Sequence, residues 1–316
     1  MTDTRPIGRG VGTTVEPGRH ARLLDLDRSL LMEAYRDTGA VFFRGFDATI
    51  EDFEALSASL MTDLFTNRGA AFSFGSLKRS TVKDNPTLMT ATGKRQDFPL
   101  PLHGEFYYFK HPPQMIWFYC ATPAAEGGET TIGDGAEVAA AFTPATADRL
   151  RRRGIRYERY LPDGDWQVAF QSADRDEIAR VCDENAATVS WGDDGSLVTE
   201  FRSSAFLTDS RGRDVFINDV LPVAYGELAI LNGQAAQYAP DMAHTRPSLV
   251  VRWDDGTPIE PEILKEMLTV TSTLEVPVPA RAGDILVVDN RRIMHGRRAS
   301  NSPDRRVLVR MGAPNS

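Results

Sequence analysis

Leu102-His103-Gly104-Glu105-Phe106-Tyr107-Tyr108 is the stretch from which the rest of the chain is read. A histidine and a carboxylate two residues apart on an extended segment point to the same face, side by side. The pair by itself is common, and its ordinary reading is a surface or satisfied core role. It becomes a candidate metal site only with a third ligand from elsewhere. Asp289-Asn290-Arg291-Arg292-Ile293-Met294-His295-Gly296-Arg297 supplies one in His295. Two imidazoles and one carboxylate form the facial set that suits non-haem Fe(II) and leaves positions open for a co-substrate and oxygen.

Few other combinations exist, because the chain has 5 histidines. His20 lies in a Gly- and Pro-rich N-terminal stretch, His111 precedes Pro112-Pro113, and His244 sits in a polar irregular segment. Solvated or turn roles are expected for all three. Cys120 and Cys182 have no CxxC spacing, which excludes a thiolate zinc site and suits buried free thiols in a reducing compartment.

Outward from the motif, strand patterns dominate the chemistry-bearing regions. Gln114–Cys120 reads as a strand buried on both faces, and Asp284–Asn290 and Arg306–Met311 as two more. Ala40–Phe46 is a further strand, and Ile155–Phe170 looks β-like. Helices fall on the flanks: Leu26–Arg36 stopping at Gly39, a helix capped by Thr49, Pro144 to Gly154, Asp174–Asn185, and one starting at Pro261. The expected fold is mainly β with α decoration: a double-stranded β-helix, or jelly roll, of cupin-like type flanked by helices. Residues 1–20 are expected as a loose arm and 21–316 as one domain. Residues 66–99, irregular and just before His103, are expected as an active-site lid.

The 316 residues carry a net charge of −8, with 41% hydrophobic and 25% charged side chains. That balance offers no basic stripe for nucleic acid. Neither a signal-peptide h-region nor an apolar run long enough for a membrane span is present, so a cytoplasmic protein is expected.

With His103, Glu105 and His295 in this order and arginines following the last histidine, the chain resembles the taurine dioxygenase (TauD/TfdA) family of Fe(II)- and 2-oxoglutarate-dependent dioxygenases. The resemblance runs from about Leu24 to Met311 and includes Gly39–Phe46, Gly127-Gly128-Glu129-Thr130 and the segment from Asp289 to Arg310. It implies that His103, Glu105 and His295 ligate iron, with 2-oxoglutarate and O2 as co-substrates. It further implies that Arg306, eleven residues after His295, pairs with the distal carboxylate of 2-oxoglutarate. Arg310 would lie near the co-substrate, and Thr130 would hydrogen-bond the same carboxylate. A guanidinium fork suits a carboxylate in a way that lysine does not.

Glu105, where much of that family has Asp, is similar to the clavaminate synthase-like and amino-acid hydroxylase branch. It implies hydroxylation of an amino-acid-derived substrate, free or on a carrier protein, in specialised metabolism such as antibiotic biosynthesis. A carboxylate at this position disfavours halogenation. Trp166–Phe201 also resembles hydroxylases of peptide natural-product pathways. Desaturation, cyclisation or epoxidation at the same site are the alternative outcomes. A non-catalytic cupin-like metal binder and a metal-dependent hydrolase or isomerase are the rivals. Arg202 and Asn218 are weaker candidates for substrate contacts, as are Phe106, Tyr107 and Tyr108.

Overall fold

The strands in chain order are β1 (Asp3–Gly8), β2 (Val11–Glu16), β3 (Ala40–Phe43), β4 (Met61–Thr62), β5 (Thr81–Val82), β6 (Asn85–Thr90), β7 (Leu100–His103), β8 (Met115–Thr122), β9 (Thr130–Asp134), β10 (Ile155–Leu161), β11 (Ala187–Trp191), β12 (Leu197–Ser203), β13 (Phe206–Thr208), β14 (Asp214–Phe216), β15 (Leu249–Trp253), β16 (Val276–Val278), β17 (Ile285–Asp289), β18 (Ile293–Arg297) and β19 (Arg306–Pro314). The helices are α1 (Arg28–Thr38), α2 (Ile50–Leu60), α3 (Gly135–Ala141), α4 (Pro144–Arg153), α5 (Asp165–Phe170), α6 (Arg175–Glu184), α7 (Val220–Leu231) and α8 (Pro261–Leu274). The structure, a computed structural model, describes residues 3–18, 21–66, 80–82, 85–91, 97–231 and 248–315.

A nine-stranded sheet runs β1-β2-β3-β17-β8-β19-β6-β5, with β4 beside β19; a four-stranded sheet, β16-β9-β18-β7, is the second layer of the jelly roll. The alternation in β8 shows how the layers form. Met115, Trp117 and Tyr119 point to a cluster with Leu31, Tyr35, Phe53 and Leu56 of α1 and α2. Ile116 and Phe118 point the other way, into a cluster shared with Ile132, Ile293, Val307, Val309 and Met311. Each large side chain buried this way contributes about 1.5–3 kcal/mol. The two helices on the outer face start and stop where the sequence directs. Asp27 caps α1 through the Ser29 amide at 2.8 Å, and Gly39 ends it in the left-handed region at φ 76. Thr49 and Asp52 form a capping box on α2.

A second four-stranded sheet, β11-β12-β10-β15, is inserted between β9 and β16 in the chain. One face packs with α3, α8 and Tyr107. Trp166, Ile178 and Cys182 of α5 and α6 form a smaller cluster with Leu161 and Leu197.

Two expectations need correction. The N-terminal residues do not form a loose arm: β1 and β2 are a hairpin, and β2 adds in parallel to β3. Val11 and Val15, buried at 2% and 3% exposure, anchor it. Ile155–Phe170 is not all β; the strand ends at Leu161 and Asp165–Phe170 is helical, because Gly164 and Gln167 close the first turn. Within 66–99, β5 and β6 pair with each other and β6 pairs with β19. Residues 67–79, 83–84 and 92–96 of that expected lid lie outside the described residues, as do His20 and His244. Among the described residues no helix is long and apolar enough to cross a membrane.

Candidate active site

β7 and β18 are antiparallel neighbours, and His295 sits directly opposite His103. Their ring centroids are 4.4 Å apart. Glu105 joins them with Oε2 3.3 Å from His295 Nε2, and one ligand atom from each of the three residues falls within 4.8 Å of the others. All three side chains are buried. His103 Nδ1 lies 2.9 Å from the Pro101 carbonyl, which fixes the tautomer with Nδ1 donating and presents Nε2 as the ligating nitrogen. Two imidazoles and a carboxylate, buried together, fit a divalent cation of the Fe(II) type; a buried carboxylate among apolar walls is costly without one. The Phe118 ring, 5.2 Å from that of His295, helps to keep the site dry.

The sequence places His103 and Glu105 on one strand, but the structure does not. β7 ends at His103, and Glu105 lies in the turn that follows, where Phe106 takes a positive φ of 60. Gly104 is required there. A Cβ at this position would come within 2.5 Å of the Tyr107 ring and 2.6 Å of Ile217. The turn is pinned by Asn290, wholly buried just past the end of β17. Its Oδ1 accepts from the Glu105 amide (2.8 Å), while its Nδ2 donates to the Glu105 carbonyl (3.0 Å) and the Pro113 carbonyl (2.7 Å). Tyr107 closes the loop by donating its hydroxyl to the Asn290 carbonyl at 2.7 Å. The Tyr107 amide donates to Asp219 at 2.6 Å, and the Asp219 amide donates to the Tyr157 hydroxyl at 3.0 Å. Burial pushes the Tyr107 and Tyr157 phenols up, so both remain protonated.

The residues expected around the co-substrate separate into two groups. Thr130, on β9 opposite Arg297 of β18, lines an interior recess with Phe118, Cys120 and Val307. Arg306 is exposed. Arg310 is buried on the wrong side of the sheet, where it donates to the Glu54 carbonyl (2.8 Å), Ser57 Oγ (2.8 Å) and Thr87 Oγ1 (3.1 Å). The reason is strand parity: Val307, Val309 and Met311 face inward, so Leu308 and Arg310 face α2. β19 also shifts register against β8 between Arg306 and Val307.

Two arginines that sequence reasoning passed over are buried instead. Arg305 donates from Nε to the Gly128 carbonyl at 2.7 Å. Arg297, two residues past His295, donates to the Phe98 carbonyl at 2.9 Å. Burial pushes Arg297 down to about 10 and the nearby Arg305 cation adds to this, while Asp97 opposes it. Arg305 is lowered by burial, with Cys120 and Glu129 opposing. Two neighbouring buried cations favour an anion between them.

Of the weaker candidates, Arg202 is on the surface, paired with Glu200 (3.0 Å) and Asp254 (2.9 Å). Asn218 is structural: its side chain donates to the Ala205 carbonyl, and its own carbonyl accepts from the Gly104 amide.

Residues 3–311 match the family model described as "Taurine catabolism dioxygenase TauD, TfdA family". The chain belongs to this family. It is therefore an oxidoreductase of the non-haem iron, 2-oxoglutarate-dependent dioxygenase class, with Fe(II) as cofactor and 2-oxoglutarate and O2 as co-substrates. A clavaminate synthase-like protein of Arabidopsis thaliana is 26% identical to it, covering 86% of this chain and 81% of that one. The dapdiamide synthesis protein DdaC of Enterobacter agglomerans is 26% identical, covering 84% and 80%. Among solved structures, PvcB of Pseudomonas aeruginosa superposes with a TM-score of 0.57 at 14% identity, over 98% of this chain and 90% of the other, which bears on the fold alone.

Proposed function

We propose that the enzyme hydroxylates an unactivated C–H bond of a small, amino-acid-derived substrate, with 2-oxoglutarate leaving as succinate and CO2. The observation that carries this reading is the buried cluster of His103, Glu105 and His295. The ligand position held by Glu105 is filled by protein, which favours oxygenation over halide transfer. Iron, when bound by these three residues, supplies oxygen activation coupled to decarboxylation of the co-substrate. The chain's own residues do the rest. Thr130 and Arg305 receive the distal carboxylate of 2-oxoglutarate, Arg297 adds positive field, and Phe118 excludes water. Arg305 takes the role expected of Arg306 because it is the buried member of the adjacent pair. The relative named for dapdiamide synthesis supports a place in specialised metabolism of amino-acid derivatives.

Anaerobic addition of Fe(II) and 2-oxoglutarate tests the class: a visible charge-transfer band is expected, followed in air by succinate. Candidate substrates, supplied free and as carrier-bound thioesters, then report the outcome. A product one oxygen atom heavier is hydroxylation, and one lighter by two hydrogens is desaturation or ring closure. Absence of both the band and succinate would overturn the reading.

A further inference from the structure

The turn that carries Glu105 is held from two sides, and the second hold comes from the inserted part of the chain. Phe106, directly after Glu105, has a φ of 60. For a bulky residue that left-handed step is strained, and it persists only where its surroundings enforce it. The Phe106 ring is committed elsewhere: it is buried with Met89, Phe118 and Met311 and lies 5.2 Å from the ring of Phe65. Asn290 holds the amide and the carbonyl of Glu105 on one side of the step. On the other side, the Tyr107 amide donates to Asp219 Oδ2 at 2.6 Å, and the Gly104 amide donates to the Asn218 carbonyl at 3.0 Å. Residues 218–219 therefore bracket the step from Gly104 to Tyr107. Asp219 is in turn well placed. It stands directly before α7, where a helix N-terminus favours a carboxylate, and its amide donates to the Tyr157 hydroxyl of β10 at 3.0 Å. Val220, Leu221 and Ala224 of α7 pack in one cluster with Tyr107 and Tyr157.

We propose that Asp219 is a positioning residue for the metal carboxylate: through the Tyr107 amide it holds the left-handed step at Phe106 and so directs Glu105 toward His103 and His295. This rests on the reading of Glu105 as an iron ligand. A carboxylate at 5% exposure is costly to the fold, and the short bond to the Tyr107 amide is what that cost secures. Without the acceptor, the step relaxes toward ordinary φ, and Glu105 turns away from His295 Nε2, which its Oε2 faces at 3.3 Å. The hydrogen bond carries the effect, so a neutral acceptor of the same size serves nearly as well. Tyr157 acts one step further out, by holding Asp219. The inserted sheet is thereby part of the support of the iron site.

The test measures Fe(II) affinity of the full chain without oxygen, by competition with a chelator. It also records the visible charge-transfer band formed with 2-oxoglutarate at saturating iron. Glu105→Ala is the reference and should lose stoichiometric iron. Asp219→Ala should bind Fe(II) about 10–100-fold more weakly, the range for residues that orient a ligand, with the band maximum displaced. Asp219→Asn keeps an acceptor and should stay within about threefold of the unmodified protein, with the same band. Tyr157→Phe retains the buried ring and should weaken iron binding about fivefold, the worth of one hydrogen bond. A residue that serves stability alone would lower the unfolding midpoint and leave iron affinity and the band in place. Unchanged iron affinity or an unmoved band in Asp219→Ala, or equal losses in the Ala and Asn variants, would overturn the assignment while Glu105→Ala still loses iron. Should Asp219→Ala not fold, Tyr157→Phe decides, and iron binding equal to that of the unmodified protein overturns it. Iron binding by Glu105→Ala equal to that of the unmodified protein would instead remove the ligand assignment, and this proposal with it.

Discussion

At the metal end of the site, the Asn290 side chain holds Glu105 by both its amide and its carbonyl, and its position does not depend on strand alternation. At the carboxylate end, Arg297 stands on β18, Arg306 opens β19 and Arg305 immediately precedes it, and which of the adjacent pair turns inward is set by how the chain enters that strand. The register of β19 shifts between Arg306 and Val307, next to the arginine pair itself. The metal end is fixed by a turn and a buried amide, so its residue types identify it. The other end is fixed by parity, so arginine spacing does not identify it. Ligand loss should therefore act through iron at one end and through 2-oxoglutarate at the other.

The largest effect is expected from His103→Ala. With one of three ligands gone, Fe(II) should no longer bind stoichiometrically in competition with a chelator, and succinate formation should fall to background. Iron binding by His103→Ala equal to that of the unmodified protein would remove the metal end from this comparison. Next comes the arginine pair. Arg305→Ala should raise the Kd for 2-oxoglutarate about 100-fold, the loss expected for a buried charge-assisted pair, while iron binding holds. Arg306→Ala, altering an exposed side chain, should change that Kd by less than about threefold. The reverse pattern in anaerobic titrations would mean that β19 lies one residue out of the register described.

The same contrast explains how far the sequence could be read. That His103, Glu105 and His295 meet in one buried cluster was legible because few histidines compete and the three residue types together suit one divalent cation. The jelly-roll layers were legible in Gln114–Cys120 and Asp284–Asn290, whose unbroken apolar runs admit only two-sided burial. Thr49, Gly39 and Pro144 marked helix ends by cap chemistry that needs no tertiary information. Which of Arg305 and Arg306 is buried was not legible, because adjacent residues of one type leave parity undetermined. The apolar signal that decides it is downstream, in Val307, Val309 and Met311 sharing a face with Ile116 and Phe118. The sequence puts Asn290 at the end of a strand, but its role depends on a contact 185 residues away. The hairpin of β1 and β2 was masked by its glycines and by two valines too few to suggest a strand.

Asn290 gives a smaller effect, confined to the metal end. Asn290→Ala removes the acceptor of the Glu105 amide and the donor to two buried carbonyls. Supporting residues of this kind change metal affinity by about 10–100-fold. Iron affinity should fall within that range and the Kd for 2-oxoglutarate, measured at saturating iron, should hold. Asn290→Asp keeps the acceptor but sets a carboxylate against the Glu105 and Pro113 carbonyls, so it should not restore the loss. Full rescue by Asp would mean that only the Glu105 amide matters.

Arg310 is the sharpest case, since the expected effect on the site is none. Its guanidinium makes its bonds to α2 and β6, which lie outside the jelly-roll interior. Arg310→Met retains the buried stem but leaves the Glu54 carbonyl and Thr87 hydroxyl without their charged donor. The cost is about 2–3 kcal/mol of stability by the usual value of hydrogen bonds to a charged group. Denaturant unfolding should show that loss, while the Kd values for iron and 2-oxoglutarate stay as they are. A weakened 2-oxoglutarate site with unchanged stability would place Arg310 inside. Val307 and Val309 would then have to face α2, and with them the parity that assigns Arg305 to the carboxylate would reverse.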